Sequence, residues 1–269
     1  VVPEKWVTGS IGLQARHHPA ILRHRTARVW HKEKALQQAM KMAALLLPLL
    51  LLAATPGWAQ QTIFNVPNAD AVPEGEVFLQ HESQFRPWKP GRFLGNTEYV
   101  AVGVGHNLEL DATVFNVNAP PSDNIALGLG FKKVFPVLAQ KYPQREYKVT
   151  LGEMVPVSLQ GDGVGNWTYG HVSGRLPVLK TRLLAGVSTG TRQIFGRNAV
   201  AFMGGYEQPV TKRFSLQGDW YSGTHNLGLF ITGFSYALPG NTTLYAGYQI
   251  PNSKRSGSQG FVVELGKYF

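Results

Sequence analysis

The chain has 269 residues, no cysteine, 26 basic and 16 acidic residues, and a formal charge of +10. The lack of thiols excludes a disulfide framework and any thiolate metal site. Eight of the bases and two of the acids fall in residues 1–41, which leaves 18 against 14, so the remainder has no basic excess of the kind that binds nucleic acid.

The chain opens on Val, and the first export-like pattern starts at Met40-Lys41-Met42. Residues 1–39 are therefore read as an upstream extension outside the native protein. Ala43 to Ala54 form a 12-residue apolar run, followed by Thr55-Pro-Gly-Trp-Ala59-Gln60. A basic start, an apolar stretch and small residues at Gly57 and Ala59 predict a signal-peptide helix over 40–59, cleaved after Ala59 and exported by the Sec pathway. A spanning helix needs about 20 apolar residues, so this run is too short to remain in a bilayer. No Cys follows it, which excludes a lipoprotein anchor. Residues 60–75 are expected to be a periplasmic lead-in, and 76–269 the folded domain.

From residue 76 onward, segments of about ten residues alternate in polarity. Leu108, Leu110, Ala112 and Val114 alternate with Glu109, Asp111 and Thr113. Ile125, Leu127, Leu129 and Phe131 alternate with Ala126, Gly128, Gly130 and Lys132. Leu183, Ala185 and Val187 alternate with Arg182, Leu184, Gly186 and Ser188, and Phe214, Leu216 and Trp220 alternate with Arg213, Gln217 and Asp219. Strands are predicted near 76–85, 97–105, 107–116, 124–134, 145–156, 166–176, 181–190, 197–208, 213–222, 225–238, 242–250 and 258–269. An even count puts both termini on one side, as single-chain bacterial barrels require.

The connections alternate as well. Gly105-His-Asn107, Pro177-Val-Leu-Lys180, Pro209-Val-Thr-Lys212 and Pro239-Gly-Asn241 are tight turns, where proline removes no ladder hydrogen bond. Longer stretches such as 86–96, 157–165 and 251–257 fall between them. The 135–144 connection is the exception, long for its rim and a candidate for a short helix. Short turns on one rim and loops on the other fit a single antiparallel transmembrane β-barrel of about twelve strands better than a soluble sandwich. Trp88, Phe93, Tyr99, Trp167, Phe195, Trp220, Tyr221, Tyr248, Tyr268 and Phe269 lie toward strand ends and are expected in two interfacial girdles.

In the last strand Phe261, Val263, Leu265 and Phe269 share one parity, and the strand ends flush with an aromatic residue. This ending resembles the closing strand of Gram-negative outer-membrane barrels, and the resemblance implies outer-membrane lipid and the barrel assembly machinery, reading Phe269, as partners. Lys267 departs from the usual apolar residue at that place. The hairpin phrase Tyr206-Glu-Gln-Pro-Val-Thr-Lys-Arg-Phe-Ser-Leu216 and the Leu-Gly-Leu-Gly-Phe run at 127–131 make residues 76–269 resemble small outer-membrane barrels known as putative transporters, including those of the phenol meta-pathway degradation type. That resemblance implies transport of small solutes.

Twelve strands enclose a lumen between the filled interior of eight and the open channel of sixteen, so it should be narrow or partly occluded. Glu82, Glu109, Asp111, Lys132, Arg175, Arg182, Arg213, Asp219 and Glu264 are the candidate pore-lining residues. They form either a selective constriction or a paired network that closes the barrel. The inward glycines Gly103, Gly128, Gly130 and Gly186 suggest free volume or a curved wall.

His171-Val-Ser173 puts a base and a nucleophile on one strand face, with Glu153 on the preceding strand as a possible orienting group. It is similar to the His-x-Ser motif of outer-membrane phospholipase A and lipid A deacylase, with Gly174 in place of their Asn. His81-Glu-Ser83 is a second copy. Pairing places His171 opposite Gly186, on the luminal side, whereas a lipid hydrolase needs its site on the lipid side. No metal-ligand cluster, cofactor motif or phosphate loop is present. The reading is a passive outer-membrane channel or transporter for small solutes, not an enzyme. The alternatives are a lipid-modifying hydrolase using His171 and Ser173, or a closed structural barrel.

Overall fold

The computed structural model describes residues 62–86, 93–117, 125–161, 163–196, 200–254 and 256–269. The upstream extension and the signal peptide lie outside these. The twelve strands are β1 (Val77–Phe85), β2 (Phe93–Gly105), β3 (Leu108–Val117), β4 (Ala126–Pro136), β5 (Lys148–Ser158), β6 (Trp167–Arg175), β7 (Arg182–Gly190), β8 (Val200–Pro209), β9 (Phe214–Tyr221), β10 (Leu229–Leu238), β11 (Thr242–Pro251) and β12 (Gly260–Tyr268). Each pairs antiparallel with its neighbours in sequence, and β12 pairs with β1 to close the barrel. The barrel therefore has no open edge.

The period-two pattern sets which side chains face out. Leu183, Val187, Leu216 and Trp220 are 41–47% exposed, while Ser188, Gln217 and Asp219 on the opposite parity are 1–2% exposed. A wall that turns Leu, Val and Phe outward along nearly every strand suits lipid, and closure of the ladder leaves no strand edge to it. The fold is that of an outer-membrane barrel.

Turns on the rim that carries the start of β1 and the end of β12 are 106–107, 137–147, 176–181, 210–213 and 239–241. The long 137–147 connection contains one turn of 3-10 helix, Pro143–Arg145. The opposite rim carries the longer loops, one of which forms the single-turn helix α1 (Arg192–Phe195).

Two expectations change. Residues 62–75 do not run outside the barrel as a periplasmic lead-in. They enter the lumen, where Ile63, Val66, Asn68 and Ala69 are fully buried. The aromatic residues also divide: by parity Trp220 and Phe269 face outward and Tyr221 and Tyr268 are buried inside, while Phe195 is buried at the end of α1. Trp88 lies outside the described residues. Position near a strand end does not place a ring in the girdle unless its parity points to lipid.

Val187→Arg, near the middle of β7, should destabilise the barrel by ~2–4 kcal/mol, whereas Val210→Arg in the short rim turn should cost about 0–1 kcal/mol. Urea titration of protein folded into vesicles measures both. Equal costs would contradict the assignment of this face to lipid.

Candidate functional site

The lumen is filled by the chain's own N-terminal segment. Its tip is a tight hairpin in which the Ile63 N–H donates to the Val66 carbonyl at 2.8 Å. This places three successive N–H groups on one oxygen. Asp219 Oδ2 accepts from Phe64 at 2.9 Å, Asn65 at 2.7 Å and Val66 at 2.7 Å. Such a run of backbone donors is an anion-binding nest, and each bond to a charged acceptor is worth about 1.5–3 kcal/mol net. Gln217, two residues away on the same face, donates from Nε2 to the Ile63 carbonyl at 2.7 Å.

Around the tip, Ile63, Phe64 and Val66 pack with Tyr169, Leu184, Met203, Tyr221, Ile231, Tyr245 and Val262 of the wall. Inward glycines make room for this. A Cβ at Gly205 would sit 2.5 Å from Ile63 Cδ1, and one at Gly247 would sit 2.8 Å from the Phe64 ring. The volume those glycines leave is occupied.

Below the tip the segment descends past polar groups toward the short-turn rim. Lys132 Nζ lies 2.8 Å from Glu109 Oε1 and donates to Asn68 Oδ1 at 3.3 Å. The other Glu109 oxygen accepts the Val72 N–H at 2.6 Å. Asp111, on the same face, accepts from the Tyr99 hydroxyl at 2.9 Å. At the rim Gly103 lies so close to the segment that a Cβ there would sit 1.9 Å from the Pro73 carbonyl oxygen.

Asp70 joins Lys148 and Arg182. Arg182 also lies 3.2 Å from Glu146 and 3.2 Å from Glu207, and Arg175 lies 3.0 Å from Glu146. Asp70 and Glu146 belong to no strand. Burial tends to raise both carboxyls, but for Asp70 the charges of Arg182 and Lys148 outweigh it and hold the group well below the usual carboxylate range. Hydrogen bonds and charge from Arg175, together with Arg182, also lower Glu146 against its own burial.

Eight of the nine candidate pore residues fall in three groups, and Arg213 stands apart from them. Glu109, Asp111, Lys132 and Asp219 contact or adjoin the inserted segment. Arg175 and Arg182 form the ion-pair cluster at the short-turn rim. Glu82 and Glu264 face one another across the β1–β12 ladder, bonded to Gln84 at 2.7 Å and Gln80 at 3.0 Å. Arg213 lines a cavity of about 340 Å³ at the short-turn rim with Arg175, Arg182, Lys212 and Glu207. A second cavity of about 330 Å³ opens at the loop rim, lined by Phe115, Met154, Pro156, Trp167, Ile194 and Leu227. The inserted segment and its aromatic packing lie between the two.

His171 and Ser173 are luminal and nearly fully buried. His171 lies against the Pro67–Asn68 backbone, and no hydrogen bond joins it to Ser173. Glu153 is on the outward parity of β5 and accepts from Asn166. A strand has two faces, so Glu153 cannot orient a histidine on the other one. The His171–Ser173 hydrolase reading therefore lacks its geometry. Among the described residues no cluster of ligand type could hold a metal ion.

The class these features define is a transmembrane β-barrel closed internally by its N-terminal segment. No protein-family model and no curated sequence matches the chain. Among solved structures it is similar to the KdgM porin, at 12% identity over 72% of this chain and 99% of that one, with a TM-score of 0.45. The same porin in complex with disordered oligogalacturonate matches at 11% identity over 72% and 98%, with a TM-score of 0.45. The open form of the ferric-catecholate import receptor Fiu from E. coli K12 matches at 11% identity over 65% of this chain and 30% of that one, with a TM-score of 0.24.

Asp70 binds protons less readily when the segment is docked against Lys148 and Arg182 than when it is released. Its contribution to docking is present above about pH 4 and is lost as pH falls below it. Open-channel events in planar bilayers should accordingly become more frequent from pH 5 to pH 3 and stay constant from pH 6 to pH 8. A profile that is flat in acid would remove Asp70 from the docking interaction.

Proposed function

We propose that the protein is a passive outer-membrane channel for small organic anions, closed at rest by residues 62–75 lodged in its own lumen. One observation carries this reading: the lumen is filled by a segment outside the barrel ladder, held to a polar wall, rather than by the wall's own side chains. Withdrawal of that segment leaves a path that combines polar groups such as Asp219, Glu109 and Lys132 with the aromatic and aliphatic side chains around the tip, which suits a solute with a charged end and an apolar body.

The two cavities indicate the solute class. Arg175, Arg182, Lys212 and Arg213 against Glu207 favour anions at the short-turn rim. Phe115, Met154, Trp167 and Leu227 at the loop rim favour an apolar body. A small aromatic or aliphatic carboxylate combines the two. The strand run at 127–131 and the hairpin phrase at 206–216 favour, within this reading, transporters of the phenol meta-pathway type. Phe269 at the end of the closing strand favours insertion by the barrel assembly machinery.

Asp219→Ala removes the acceptor shared by three N–H groups. It should shift docking by at least ~2 kcal/mol, on the order of 30-fold in open probability. Deletion of residues 62–72 should give a constitutively conducting barrel. In that deletion form, a benzoate gradient should give an anion-selective reversal potential, and Lys212→Gln with Arg213→Gln should reduce the selectivity. A deletion form that folds and does not conduct would leave the closed structural barrel as the better reading.

A further inference from the structure

The two His-x-Ser pairs of this chain end on opposite sides of the wall. His171 and Ser173 face the lumen, but His81 and Ser83 have the parity of Leu79, which is 43% exposed on the outer wall. On that outer face three side chains form a continuous chain of contacts. Glu98 Oε1 lies 2.7 Å from His81 Nδ1, and His81 Nε2 lies 2.8 Å from Ser83 Oγ. The register of β1 with β2 produces this, setting His81 opposite Glu98 and Ser83 opposite Asn96. Ser83 Oγ donates to Asn96 Oδ1 at 2.9 Å, so its proton turns to His81 Nε2 only when the Asn96 amide rotates. Irregularities at Gln84–Phe85 in one ladder and at Asn96–Glu98 in the next flank the pair and aim these side chains.

We propose that Ser83, His81 and Glu98 form a serine-hydrolase site on the lipid-facing wall, acting on an acyl ester of a membrane lipid. An adjacent carboxylate fixes the imidazole with Nδ1 protonated, which leaves Nε2 as base toward the serine hydroxyl. A carboxylate, an imidazole and a hydroxyl facing lipid carry a desolvation cost that no ladder contact requires, which is the expectation for functional polar groups within a membrane.

Depth and shape fit the substrate. Two residues beyond Ser83, about 7 Å along the strand, Phe85 stacks on Phe261 at 5.8 Å with Tyr248 edge-on to Phe261 at 5.2 Å. These rings sit at the loop-rich rim, where the interfacial girdle lies. Ser83 is thus just inside the interface, at the level where acyl chains are esterified. From His81 and Glu98 an outer groove of about 460 Å³ runs toward the opposite rim, lined by Leu79, Val100, Val114 and Leu265. It follows the direction an acyl chain takes from that ester toward the bilayer centre.

The reaction balances with water as the only co-reactant. Ser83 Oγ attacks the ester carbonyl carbon while its proton passes to His81 Nε2. The carbonyl C–O bond to the alcohol breaks, and His81 returns the proton to the departing alcohol. Water then attacks the acyl-serine through the same base, releasing the fatty acid and restoring the hydroxyl. The Asn96 amide, once turned, places Nδ2 beside the carbonyl oxygen where negative charge develops.

The test uses the full mature chain in mixed micelles, with phospholipid in one arm and lipid A in the other. Fatty-acid release in either arm, with covalent capture of a fluorophosphonate at Ser83 located by mass spectrometry, is the expected result, and the active arm identifies the lipid. Ser83→Ala and His81→Ala should each lower turnover by at least ~10³-fold. Glu98→Gln should lower kcat with little change in KM. Ser173→Ala should change nothing, and heat-modifiable gel mobility verifies folding of every variant. Labelling should persist in the 62–72 deletion, and conductance should persist in Ser83→Ala, so this proposal and the channel fail separately. No labelling of Ser83, or release unaffected by Ser83→Ala, would overturn it.

Discussion

A closed ring of twelve strands has a circumference its own inward side chains do not span, and that geometric surplus governs the interior. Something must fill the space or water enters. Here the filler is Thr62 to Gly75, and the inner wall is adapted to it. Gly205 and Gly247 leave room for Ile63 and Phe64, and Gly103 admits the Pro73 backbone. Asp219 receives three N–H groups that the hairpin tip leaves unpaired. An inserted peptide has few regular backbone partners, so its donors must be met by wall side chains. Asp219 and Glu109 meet them, and Gln217 donates to the Ile63 carbonyl.

The barrel itself was legible in the sequence because period-two alternation and turn chemistry are local. The face assignments of Leu183, Val187, Leu216, Asp219 and Lys132 follow from the same rule. The inserted segment was not legible, because Thr62-Ile-Phe-Asn-Val-Pro-Asn-Ala-Asp has no period and its wall partners lie 64 to 155 residues away. Two signals pointed to it. Ile63, Phe64 and Val66 are poorly suited to an exposed periplasmic lead-in, and several inward glycines with surplus carboxylates form an inner wall that needs an occupant. The nine polar residues were expected on the inner faces, but parity does not reveal partners, and Asp219 binds backbone rather than a cation.

The two His-x-Ser pairs show the same limit from another side. Spacing alone makes them equivalent. What separates them is that Glu98 shares a face with His81, whereas Glu153 does not share one with His171. Only cross-strand register decides this. A polar pair on the parity of Leu79 was the local clue: lipid-facing strand positions are ordinarily apolar, so His81 and Ser83 break the pattern where His171 and Ser173 obey it.

Register also couples the interior to the outer wall. Strand β1 turns Gln80, Glu82 and Gln84 inward and His81 and Ser83 outward, so a slip of one residue would exchange the two sets. The base of the inserted segment pins that register: Glu74 bridges to Gly103, the Gly75 N–H donates to the Gly103 carbonyl at 3.0 Å, and the Gly103 N–H donates to the Glu76 carbonyl at 3.1 Å. These bonds fix where β1 begins against β2, and hence that His81 meets Glu98 and Ser83 meets Asn96. Withdrawal of the tip around Asp219 leaves this anchor in place, because Asp219 and Gly103 hold the segment at different depths. The lumen can therefore open while the outer face keeps its geometry.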